Sequence, residues 1–137
     1  MSDCVFCKIV AGEIPAYKVY EDESVLAFLD IMPVSEGHIL VIPKKHYANF
    51  EEIPEEELFA VMKVVKKVGK SLKDNFKVTG YNVQENNDLV AGQEVPHIHF
   101  HIIPRKENDG FKLWSQGKYK EGEAEKIIEK IKINKLD

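Results

Sequence analysis

In His97-Ile98-His99-Phe100-His101-Ile102-Ile103 imidazole and apolar side chains alternate from His97 through Ile102. A period of two is the period of a strand, so one face carries His97, His99 and His101 and the other carries Ile98, Phe100 and Ile102. Pro104 predicts the end of that strand. At a rise of roughly 3.3 Å per residue the first and third histidines stand about 13 Å apart, too far to meet on one atom. The row therefore predicts three separate tasks rather than one shared metal ion. A polar, solvent-facing side of a sheet is the plainer alternative. Imidazole can also act as a nucleophile or as acid and base near neutral pH.

Outward from this row, Tyr81 to Gln84 reads as a strand, followed by a polar loop from Glu85 to Pro96 containing Gly92. Lys18 to Tyr20 and Ser24 to Leu29 flank the acidic turn Glu21-Asp22-Glu23 and read as a hairpin. His38 to Ile42 is an apolar strand ended by Pro43. Leu58, Met62, Val65, Gly69, Leu72 and Phe76 recur at steps of four and three, the face of a helix of about 20 residues starting near Pro54. Val61, Val64 and Val68 form a second apolar stripe, either a wide core face or a subunit interface. Cys4 to Ala11 is short and mixed, with room for one helical turn. Glu123 to Lys132 forms a short helix with Ile127, Ile128 and Ile131 on one side. The pattern predicts an α+β fold: an antiparallel sheet with one long and one short helix.

The chain has 137 residues, one domain's worth, with 44 % apolar and 31 % charged residues, a globular balance. Its 19 basic and 23 acidic residues give a net charge of -4, against a protein built to grip nucleic-acid backbone. Arg105 is the sole arginine, so bidentate phosphate forks cannot be the main recognition device. No apolar run reaches the roughly 20 residues of a membrane span, and residues 1–11 lack a signal-peptide core. The expectation is a single domain over residues 1–137, cytoplasmic, without membrane partner or structural disulfide.

The histidine row resembles the His-φ-His-φ-His-φ-φ signature of the histidine triad superfamily. Phe28-Leu29-Asp30, Gly37-His38-Ile39-Leu40-Val41-Ile42-Pro43-Lys44 and Ala91-Gly92-Gln93 resemble its other blocks, in the same order. The likeness runs from Cys4 to Trp114, leaving 115–137 as a tail, and is nearest the nucleotide-binding branch. It implies a five-stranded antiparallel sheet that pairs across a homodimer into ten strands. It also implies hydrolysis of purine nucleoside phosphoramidates at the α-phosphate through a covalent nucleotidyl-histidine. A diadenosine polyphosphate hydrolase, or a nucleotide-binding protein of little activity, are the alternatives.

By the same resemblance His99 is the nucleophile, held by the carbonyl of His97; His101 contacts the phosphate and His38 orders the network. Asp30 matches the ribose-binding acid, and is otherwise a turn residue. Phe6, Ile9, Ile14, Phe28 and Ile31 match the base cleft. Asn86 and Gln93 match phosphate-contacting residues, with Asn87 adjacent to Asn86 in a loop where register can shift. Glu94 departs from the family's serine or threonine: it either turns outward or meets a cationic leaving group. Cys4 and Cys7 alone could be a redox pair, half a zinc site or plain thiols. The resemblance pairs them with His46 and His97 as a structural Cys2His2 zinc site. No organic cofactor is implied.

Overall fold

A computed structural model describes residues 3–134; residues 1–2 and 135–137 of the expected domain lie outside the described residues. Five strands form one antiparallel sheet: β1 (Lys18–Glu21), β2 (Val25–Leu29), β3 (Ile39–Pro43), β4 (Gly80–Glu85) and β5 (Phe100–Arg105), in the order β1-β2-β3-β5-β4. The first three strands form a meander. The chain then crosses one face as α2 (Glu55–Asn75), enters the far edge as β4 and returns between β3 and β4 as β5.

Strand alternation sorts the core into two layers. Val25, Ala27, Ile39, Val41, Ile98, Phe100 and Ile102 face α2 and bury Val61, Val64, Val65, Val68 and Leu72. Leu26, Phe28, Leu40 and Ile42 face the other way, against Phe6 and Ile9 of α1 (Val5–Val10). A helix already apolar on that side can pack closely on the sheet, and Gly69 lets it do so: a Cβ there would strike the Tyr81 ring. Glu55, Glu56 and Glu57 occupy the first turn of α2, where the helix dipole favours negative charge.

The structure differs from the expectations in four places. The α-helices number three among the described residues, because Cys4 caps a short α1, its sulfur accepting from the Cys7 N–H (3.3 Å). Residues 123–131 form α3 as expected. The stripe of Val61, Val64 and Val68 is buried in the chain's own core, so it is not a subunit interface. The triad strand starts at Phe100, not His97, because the Ile98 N–H donates to the Tyr47 carbonyl (2.8 Å) rather than to a neighbouring strand. It runs through Pro104 to Arg105; pairing with β3 extends only to Ile102, so the missing N–H costs no bond on that side. The fourth difference is at Gln93, which is buried in its loop rather than turned to the cleft. No helix among the described residues is long and apolar enough to cross a membrane.

Candidate active site

The face of the sheet opposite α2 carries the row. His97 and His99 are buried, and the ring of Phe6 packs edge-on against both, with centroids 5.7 and 5.0 Å away. His99 Nδ1–H donates to the carbonyl of His97 (2.8 Å), which leaves Nε2 with a free lone pair. A second chain of bonds fixes the other two rings. The Val34 N–H donates to His38 Nδ1 (3.0 Å), so neutral His38 carries its proton on Nε2. That proton faces His101 Nδ1 at 3.0 Å. His101 therefore accepts at Nδ1 and presents an N–H donor at Nε2. The row thus ends in one lone pair, on His99, and one donor, on His101.

The imidazoles hold these states in the neutral form. Burial pushes His101 down to about 4 and lowers His38 and His99 as well, while the charge of Asp30 opposes the shift in all three. Asp30 Oδ2 lies 3.7 Å from His38 Nε2, beyond hydrogen-bond length. Asp30, His38 and His101 come close enough to resemble a metal site. His38 Nε2–H instead donates to His101, and Asp30 adds its charge without a hydrogen bond to either ring.

The two groups open on a cleft of ≈ 520 Å³. Phe6, Ile9, Ile14, Phe28 and Ile31 all line it, as do Asp30, His38, Asn86, His99 and His101. Ile31 sits at the mouth, 79 % exposed. Asp30 Oδ1 already accepts the Met32 N–H (2.8 Å), and a carboxylate has lone pairs to spare for further donors. Asn86 faces the cleft, whereas Asn87 bonds the Phe50 N–H and Glu85, which fixes the loop register. Gln93 is the correction: it is buried, its Oε1 accepts the Asp88 N–H (2.8 Å) and its Nε2 donates to the Ala48 carbonyl (2.6 Å). Both ends of the amide are committed to backbone, so it staples the loop and does not line the cleft. Gly92, in the left-handed region at φ 95°, turns the chain there. Gln84 lines the cleft unforeseen; it pairs with His101 across β4 and β5 and donates to Asn86 Oδ1 at 3.3 Å. An exposed glutamine in a strand gives no signal in sequence.

At the other end of the row, Cys4, Cys7, His46 and His97 converge. Cys4 Sγ and Cys7 Sγ lie 3.4 and 3.6 Å from His97 Nδ1, and Cys7 Sγ lies 3.3 Å from His46 Nδ1. Two ligands of a tetrahedral zinc ion, at about 2.3 Å for sulfur and about 2.0 Å for nitrogen, stand roughly 3.5 Å apart. His97 Nε2–H donates to the Pro43 carbonyl (2.9 Å), which aims the Nδ1 lone pair at the thiols. Burial, with Cys4 alongside, pushes the free Cys7 thiol up to about 11. A bound cation supplies the charge that stabilises thiolate. The four residues fit zinc in donor type, number and spacing.

The HIT domain family model matches residues 11–108. An adenosine 5′-monophosphoramidase, HNT1 of Candida albicans, is 46 % identical over 110 residues, 77 % of this chain and 72 % of that protein. The crystal structure of a HIT family member from Bacillus subtilis superposes with TM-score 0.88 at 43 % identity, covering 98 % of this chain and 99 % of that one. A zinc-bound histidine triad family protein from Mycobacterium smegmatis superposes with TM-score 0.77 at 36 % identity, covering 85 % of each chain.

Proposed function

The chain belongs to the HIT domain family, and from that premise we propose that it hydrolyses purine nucleoside phosphoramidates, of the adenosine 5′-phosphoramidate type, at the α-phosphate. The observation that carries this is the pair of tautomers: a lone pair on His99 Nε2 beside a donor on His101 Nε2, at the floor of one cleft. The His99 lone pair attacks phosphorus. The bond to the leaving nitrogen breaks, the nitrogen keeps the electron pair and takes one proton from solvent to leave as amine, and water then hydrolyses the nucleotidyl-histidine and returns a proton. His101 donates to a phosphate oxygen, and His38 holds it in that tautomer. Asn86 adds an amide donor. The apolar wall of Phe6, Ile9, Ile14, Phe28 and Ile31 receives the base, and Asp30 receives the ribose.

Cys4, Cys7, His46 and His97 hold a structural zinc in this account, with His99 left for chemistry. A homolog of 46 % identity named as an adenosine 5′-monophosphoramidase supports the reaction class. Strand β4 pairs on one side only, which supports a homodimer that continues the sheet to ten strands across two β4 edges. Sedimentation equilibrium should give twice the chain's mass; the mass of one chain would exclude the pairing.

The sugar end of the cleft is testable by binding. A ribose hydroxyl removed from Asp30 leaves a partly buried carboxylate oxygen underpaired, at about 1–3 kcal/mol. Adenosine 5′-phosphate should bind roughly 5- to 150-fold more tightly than its 2′-deoxy analogue, at about 1.4 kcal/mol per factor of ten. Asp30→Asn should weaken the ribonucleotide and narrow the gap. Equal affinities in the wild type, by calorimetry at one salt concentration, would make Asp30 a turn residue only.

A further inference from the structure

One wall of the cleft carries a charge that nucleoside and phosphate recognition leave unused. Glu94 lines the cleft beside Asn86 and Gly92, exposed at its mouth, with no ion-pair partner among the described residues. The other carboxylate, Asp30, lies deeper, and its charge is the one that acts on the histidines. Among the described residues neither lysine nor arginine lines the cleft. The sole arginine, Arg105, commits Nε and Nη2 to Asp109 (2.7 and 3.1 Å), Nη1 to Asn82 (2.8 Å) and Nη2 also to the Phe111 carbonyl (2.9 Å).

The cleft is thus net negative, with neutral imidazoles and amides as its donors. Neutral donors suffice for one phosphate. A string of further phosphates meets no cation and approaches Glu94, where like charge repels. A leaving group with a cation at its far end finds the opposite. We propose that Glu94 is a specificity residue for the leaving group, so that the preferred substrate is a nucleoside 5′-phosphoramidate whose amine carries a distal ammonium, and polyphosphate leaving groups are disfavoured. This rests on the phosphoramidase reading above. The overall step consumes one water: its hydroxyl ends on phosphorus and its remaining proton on the departing amine, which keeps the electron pair of the broken P–N bond.

The test compares two isosteric adenosine 5′-phosphoramidates, N-(3-aminopropyl) and N-butyl, with diadenosine triphosphate as the anionic arm. In the wild type, kcat/KM should favour the aminopropyl compound about 3- to 10-fold, the scale of a solvent-accessible ion pair at the upper end, and the ratio should fall as ionic strength rises. In Glu94→Gln the ratio should drop to about 1, and in Glu94→Lys it should invert while the relative rate on diadenosine triphosphate climbs. Equal wild-type rates on the two amides, or a preference that Glu94→Gln leaves intact, overturns the proposal and leaves the phosphoramidase reading standing. Turnover of neither amide overturns both.

Discussion

Replacing His99 by alanine should lower turnover of adenosine 5′-phosphoramidate by about 10³-fold or more, while adenosine 5′-phosphate still binds within a few-fold of the wild type. The magnitude follows from what is removed: the only lone pair the row aims into the cleft. A nucleophile lost outright costs on this scale because no neighbouring group can take its place. His101 cannot, since its Nδ1 is bonded to His38 and its Nε2 carries the proton. His101→Ala should be the milder change, because in the proposed mode it removes one phosphate donor and leaves Asn86, which also lines the cleft. Single-turnover kinetics alongside calorimetry separates the two effects, and near-normal turnover in the His99 variant would end the account.

The second large effect is on the cluster of Cys4, Cys7, His46 and His97. The purified protein should carry about one zinc per chain, and Cys4→Ala or Cys7→Ala should abolish it and lower the melting temperature by about 10 °C, since binding free energy at such a site is folding free energy. Nucleotide affinity should fall with it, for a reason particular to this fold. The two cysteines tether α1, and α1 supplies Phe6 and Ile9 to the cleft wall. His97 also couples the cluster to chemistry, because its ring faces the thiols and its carbonyl holds His99. Metal analysis and melting curves read the first effect, and calorimetry with adenosine 5′-phosphate reads the second. Metal-free protein with an unchanged melting temperature in both variants would show plain thiols.

The row itself was legible because a period of two is a property of the backbone, whatever surrounds it. So was the separation within it: an extended chain holds His97 and His101 roughly 13 Å apart, and in the structure His97 lies with the cysteines and His101 with His38. What the period cannot report is what lies across from a side chain. Val61, Val64 and Val68 form an apolar stripe that fits a sheet or a second subunit equally, and only the packing of α2 assigns it to the sheet. Gln93 shows the same limit in a loop: its amide could serve a phosphate or the backbone, and the direction of the turn at Gly92 decides for the backbone. Short α1 had no apolar period over its six residues; it is held by the Cys4 cap and its burial against Leu26 and Phe28.

The central claim is that His99 bonds to phosphorus. Wild-type protein mixed with adenosine 5′-phosphoramidate labelled at phosphorus, quenched in denaturant at alkaline pH within one turnover, should carry label that acid removes and alkali does not. Peptide mapping should place that label on His99, and the His99→Ala protein should carry none. Turnover of the wild type with no label trapped at any quench time, or label mapped to His38 or His101 instead, would contradict it.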